Sequence, residues 1–357
     1  MNINNNKPIV YAQTGGGRKS NIELLRIIAM FLVLVVHADY FSLGAPSRAD
    51  IELDTITSFM RIFFEACSIA CVNIFVVISG WFGIRPSLKG FGSFVFQCAY
   101  FLFGIFIVMV LTGLTSFSFK GLASCFLCLE WNWFIKAYIC LYILSPVLNS
   151  FCKEENRKVM KMVIIAYFLF QTVYGWLTPG SKFFEGGYSA ISFIGLYLLA
   201  RYCKLFAPKV ATFRKSTDSI IIVTLVLLIT ILEYLRIQFS LPVNVMTYSN
   251  PLVIVLSIYV LLLFSKITIQ SRVINWIATS SFAVFLLHTN YSFCRPYFCV
   301  HVNHIFDSYN GMSGISLISL YLVVLFVAAI ILDQPRKWCF NRIIKDKLVQ
   351  IDDKYRR

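Results

Sequence analysis

One stretch, Asn21 to Leu43, constrains this chain more than any other: NIELLRIIAMFLVLVVHADYFSL. It is long and apolar enough to span a bilayer, yet Glu23, Arg26 and His37 lie within it or at its edge. Ionisable groups at membrane depth are costly and mark functional positions. The spacing narrows the reading. Arg26 and His37 are eleven residues apart, which at about 100° per residue returns them to within roughly 20° of one helix face. At about 1.5 Å per residue they stand about 16 Å apart along that face. A cation near one end and an imidazole deep inside suit a channel holding a long ligand with an anionic head.

Composition places the remainder of the chain in the same class. Hydrophobic residues make up 58% of the 357, charged residues 14%, and Phe alone occurs 34 times. Together with a mean hydropathy of +0.74, this excludes soluble domains and defines an all-α polytopic membrane protein. Ten apolar segments of spanning length are expected, at 22–43, 59–83, 91–114, 131–151, 158–177, 187–206, 219–238, 249–266, 273–293 and 314–333. They predict a bundle of about ten transmembrane helices with both termini cytoplasmic. On that reading residues 1–20 are a flexible cytoplasmic tail with no cleaved leader, 21–333 a single transmembrane domain, and 334–357 a basic cytoplasmic tail.

Orientation follows from the basic residues. With the N-terminus inside, most of the 32 Lys and Arg fall on the cytoplasmic side, as the positive-inside rule requires. The net charge of +15 is therefore a topology signal, and nucleic acid is not an expected partner. The eleven cysteines are scattered, several within apolar spans, where they read as small hydrophobes. The pair Cys125 and Cys128 has no second pair or nearby histidine, so it does not make a zinc site, and no metal is expected.

Depth bookkeeping sorts the polar groups into two layers. His37 and His288 each lie about fifteen residues into a span that starts inside, so they share a level in the outer half of the bilayer. Glu65 falls near that level, with Glu130, Trp131 and Trp133 at an outer helix start and Lys136 further in. Arg26, Ser79, Arg85 and Lys89 form an inner, basic layer. Guanidinium and ammonium groups can hold phosphates. A neutral histidine can take a proton from an alcohol while a carboxylate fixes its tautomer. Plainer roles exist for each residue. Glu23 suits a first-turn acid paired with Arg26 or Lys19, Arg85 and Lys89 suit positive-inside anchors, Trp131 and Trp133 suit the interfacial belt, and Lys136 suits snorkelling.

These residues carry a resemblance. Arg26, ten residues, then His37 matches the R-x10-H signature of the acyltransferase-3 family of integral-membrane O-acyltransferases, and three further stretches are similar to that family in order: NIFVVISGWFG at 73–83, WNWFIKAYICLYILSPVLN at 131–149 and SSFAVFLLH at 280–288. The resemblance runs from Asn21 to about Asp333. It implies transfer of an acyl group, usually acetyl from cytoplasmic acetyl-CoA, to a hydroxyl of a surface or exported glycan: O-antigen, exopolysaccharide or a lipid-linked precursor. Carried over by position, His37 becomes the catalytic base, and the depth reading sets Glu65 beside it. Arg26 helps place the donor, with Ser79, Arg85 and Lys89 beside it. The acceptor enters near Glu130, Trp131, Trp133, Lys136 and His288. The family often shows RxxR after the ISG segment, whereas here Arg85 is followed by Lys89 at a different spacing. Expected partners are membrane lipid, acyl-CoA, a glycan acceptor and the glycan-assembly machinery, at a bacterial inner (plasma) membrane. The rival reading is a transporter or flippase of glycan intermediates using His37, Glu65 and Arg26 as a substrate pathway without acyl chemistry.

Overall fold

The computed structural model describes residues 18–126, 132–178, 183–290, 294–309 and 311–356. Among the described residues the chain is all helical, with no strand. The elements used below are α1 (Ser20–Val36), α2 (Thr55–Ser68), α3 (Cys71–Phe82), α4 (Leu88–Leu111), α5 (Trp133–Phe151), α6 (Arg157–Gln171) and α7 (Ala190–Phe206). They continue with α8 (Lys215–Gln238), α9 (Pro251–Ser265), α10 (Arg272–Ala278), α11 (Ser281–His288), α12 (Val300–Ser308), α13 (Met312–Cys339) and α14 (Lys345–Arg356).

Among the described residues, seven helical stretches are long and apolar enough to cross a membrane: Ser20–Leu43, Thr55–Phe82, Leu88–Leu111, Trp133–Phe151, Glu154–Leu177, Lys215–Gln238 and Met312–Asp353. Each coincides with a span expected from sequence. The other three expected spans are present as shorter or broken helices. The 17 residues of α7 and the 15 of α9 reach about 26 and 22 Å at 1.5 Å per residue, short of a roughly 30 Å hydrocarbon core. The segment from 273 is interrupted, because α10 ends at Ala278 and α11 restarts at Ser281 and stops at His288. That break makes His288 the last residue of a short helix, where a side chain can turn into the bundle.

Apolar residues also cover the outside: Leu111 is 80% exposed, Val147 66% and Ile220 66%. In water such a surface would aggregate, whereas against lipid it is the matched solvent. Inside, α1 is central and touches α2, α3, α9, α10, α11 and α13. Helices approach closely where a side chain is absent. A Cβ on Gly80 of α3 would stand 2.4 Å from the carbonyl oxygen of Tyr197 on α7, the small-residue contact typical of membrane helices. Buried polar groups bond across helices. Asn73 Nδ2 donates to the Tyr248 carbonyl at 3.0 Å, Asn21 Nδ2 to the Phe264 carbonyl at 2.8 Å, and Tyr197 Oη to Asn149 Oδ1 at 2.6 Å.

Beyond the last expected span the chain continues as helix through residue 356. Residues 334–339 extend α13, Asp333 pairs with Arg336 at 2.7 Å in its last turns, and α14 packs on α4. The Asp352 carboxylate accepts the backbone N–H groups of Leu88 and Lys89 at 2.7 and 3.0 Å, capping the positive end of α4.

Candidate functional site

At the end of α1 the backbone widens. The α-helix stops at Val36, and His37–Leu43 form a π-turn, a local deformation common at functional positions. His37, its first residue, meets α11, where its Nδ1 lies 2.8 Å from Nε2 of His288. Nδ1 of His288 lies 2.5 Å from the carbonyl oxygen of Val284. A carbonyl only accepts, so the His288 Nδ1 must carry the proton. In the neutral pair, Nε2 of His288 is then the acceptor and Nδ1 of His37 the donor. This leaves the Nε2 of His37 unprotonated and free to take a proton. Hydrogen bonds in series from a main-chain oxygen thus set the tautomer of His37, as an orienting carboxylate does in a catalytic triad.

His37 opens onto a cavity of about 480 Å³, lined also by Tyr40, Glu65, Asn132, Trp133, Tyr188, Tyr248 and Thr289. Glu65 is 1% exposed, and its Oε2 has no hydrogen-bond partner among the described residues. Leaving such an oxygen unsatisfied costs stability unless a ligand or water meets it. Trp133, Tyr188 and Tyr248 form an aromatic wall. The Trp133 and Tyr188 rings are 4.6 Å apart, those of Tyr188 and Tyr248 4.9 Å, and Tyr248 lies nearly parallel to Trp133. Flat faces of this kind suit a ring bearing C–H groups, with the polar edges of Tyr left to bond hydroxyls.

The expected residues fall into three groups. His37, Glu65 and Trp133 meet in this cavity, and His288 joins them as the partner of His37 rather than as a lining residue. The carboxylate expected to orient His37 does not bond it; His288 takes that place. Ser79 and Arg85 lie further along α5, beside Tyr138 and Tyr142. Arg85 lines a second cavity of about 250 Å³ with Ser87, Phe94, Tyr138 and Tyr142. Ser79 Oγ lies 3.2 Å from Tyr138 Oη, and Lys89 is exposed at the capped start of α4. Two residues stand apart. Lys136 is exposed on the face of α5 opposite Phe134 and Tyr138. Arg26 donates to Glu23 at 2.6 Å, with Arg18 3.9 Å from the same carboxylate, the first-turn pairing that its position allows. Glu130, Trp131 and Cys128 lie outside the described residues.

Sequence reasoning passed over the charges behind the cavity. Arg61 Nε donates to Asp39 Oδ1 at 2.8 Å, its Nη2 donates to the Gly44 carbonyl, and its guanidinium lies over Phe306. Arg236 grips Glu233 with two bonds of 2.7 and 2.8 Å, and Tyr40 Oη donates to Glu233 at 3.3 Å. Asp39, two residues beyond His37 inside an apolar span, was the available signal. Among the described residues, no group of three or more His, Cys, Asp or Glu is placed to hold a metal ion.

A helical bundle with an apolar exterior, and a part-buried imidazole pair beside a cavity, define a multi-pass membrane protein. Residues 19–333 match the family model Acyl_transf_3, described as an acyltransferase domain. The chain belongs to the acyltransferase-3 family and is a membrane acyltransferase. No curated protein and no solved structure matches it.

Proposed function

We propose that the chain transfers an acetyl group from cytoplasmic acetyl-CoA to a hydroxyl of a cell-surface or exported glycan. The setting is a bacterial inner membrane, with ten passes and both termini in the cytoplasm. The observation that carries this reading is the serial hydrogen bonding of Val284, His288 and His37 beside a cavity with an aromatic wall. The free Nε2 of His37 takes the proton of the acceptor hydroxyl as its oxygen attacks the thioester carbonyl. The new C–O bond forms, the C–S bond breaks, and the proton passes from His37 to the departing thiolate. The hydrogen bond from His37 Nδ1 to His288 strengthens as the imidazole becomes cationic.

Trp133, Tyr188 and Tyr248 support the sugar ring, and the unpartnered oxygen of Glu65 holds one of its polar groups. Donor phosphates are drawn to the end where Arg85 and Lys89 stand, with Arg26 contributing positive potential from α1. Mass spectrometry of the host's surface glycan, with and without this chain, tests the assignment. An added acetyl group that depends on His37 is expected. An unmodified glycan whose chain length or export changes would overturn the assignment.

A further inference from the structure

The two cavities lie along α5 and share no lining residue. Trp133 at the start of α5 borders the outer cavity and Tyr142 the inner one, nine residues and about 14 Å further along the helix. Against the outer cavity is a void of about 20 Å³ bounded by Met30, Phe75, Phe134, Phe282 and Phe285, which shares Val33, Val72 and Phe285 with that cavity. That volume holds about one water molecule. What fills the remaining space is a run of rings. Tyr138 stacks on Phe134 at 6.0 Å, Phe94 lies 5.7 Å from Tyr138 and stacks on Phe282 at 5.4 Å, and Phe282 stacks on Phe285 at 5.7 Å.

The stack is assembled from α4, α5 and α11, three helices with no covalent tie near the contact. Its rings are held by packing alone, so a side chain can swing where room exists. Phe94 and Tyr138 border the inner cavity directly, which supplies that room. Phe282 is only partly buried and sits near the start of α11, a helix of eight residues broken at both ends.

We propose that Phe94, Phe134, Tyr138, Phe282 and Phe285 form a closed aromatic gate in a passage for the narrow thioester arm of the acyl donor, with Phe282 as the leaf that moves. The inference rests on the acyl-CoA reading above. With no donor bound, the gate keeps inner water and thiols from the His37 cavity. An entering arm displaces Phe282 and lays its thioester beside His37. The site is then occupied by substrate whenever it is open, which protects the thioester from hydrolysis.

The test uses the full chain in inverted membrane vesicles of the expressing cells, scoring radiolabelled acetyl carried into glycan. Two donors are compared: acetyl-CoA, supplied at the cytoplasmic face, and S-acetyl-N-acetylcysteamine, small enough to cross the membrane and enter from the outer cavity. Phe282→Trp is expected to lower transfer from acetyl-CoA about ten-fold or more while transfer from the small thioester stays within about two-fold. Phe282→Ala is expected to keep transfer from acetyl-CoA and to raise its hydrolysis when no acceptor is present. A Phe282→Trp protein as fast as wild type with acetyl-CoA overturns the gate, as does parallel loss of both donors in both variants. A wild-type protein that uses the small thioester but not acetyl-CoA overturns the donor reading, and the gate with it.

Discussion

His37 and His288 come from helices 251 residues apart in sequence and meet at 2.8 Å through Nδ1 and Nε2. Because the carbonyl of Val284 claims the other nitrogen of His288, the direction of the bond between the rings in the neutral pair is determined, and the Nε2 of His37 is left unprotonated.

Removing that base should stop the chemistry and spare the fold. His37→Ala is expected to lower glycan acetylation by about 10²- to 10⁴-fold, the usual scale of a lost general base. Protein level in the membrane should be unchanged. Full acetylation in this variant would exclude His37 from the reaction.

His288 should act through His37, without contacting substrate. His288→Ala is expected to lower kcat by about 10²-fold at an unaltered KM for the acceptor. His288→Gln, whose amide oxygen can accept from His37 Nδ1, should recover part of that loss. Equal rates for the Ala and Gln variants would argue against an orienting role.

Arg85 lines the inner cavity, on the side proposed for the donor. Arg85→Ala is expected to raise the KM for acetyl-CoA about ten-fold with little change in kcat, the signature of lost uniform binding. Steady-state kinetics at two ionic strengths check this, since the wild-type advantage should shrink as salt screens the cation.

The Asp39–Arg61 pair is a structural prediction. Asp39 is 8% exposed and Arg61 7%, so Asp39→Ala strands a buried guanidinium at a cost of roughly 3–5 kcal/mol. A lower unfolding temperature in detergent is expected, with partial recovery when Arg61→Leu is added. Recovery would show that the stranded charge, rather than the lost packing, causes the damage.

Gly80→Ala tests the tightest helix contact. The added methyl collides with the Tyr197 main-chain carbonyl oxygen and Cα, and backbone cannot step aside as a flexible side chain does. A loss of about 1–3 kcal/mol is expected from such overpacking, read as a fall in the detergent unfolding temperature. An unchanged temperature would mean that α3 and α7 can separate at little cost.

The sequence alone determined the class of this protein, its all-helical build, the helix carrying Arg26 and His37 and the family match, because hydropathy and helical spacing are local properties that survive projection onto one dimension. Equal depth for His37, His288 and Glu65 was legible by counting residues, since rise per residue is nearly constant. Partnership was not. A carboxylate was expected to orient His37, and a second imidazole does so, because azimuth around the bundle depends on the π-turn at His37 and on the break before α11. Glu23 and Arg26 illustrate the reverse case: their ion pair was readable because i and i+3 positions meet within one helix. The aromatic stack, the two cavities it separates and the Asp39–Arg61 pair were decided by tertiary packing alone, since side chains from different helices meet only once the bundle has closed.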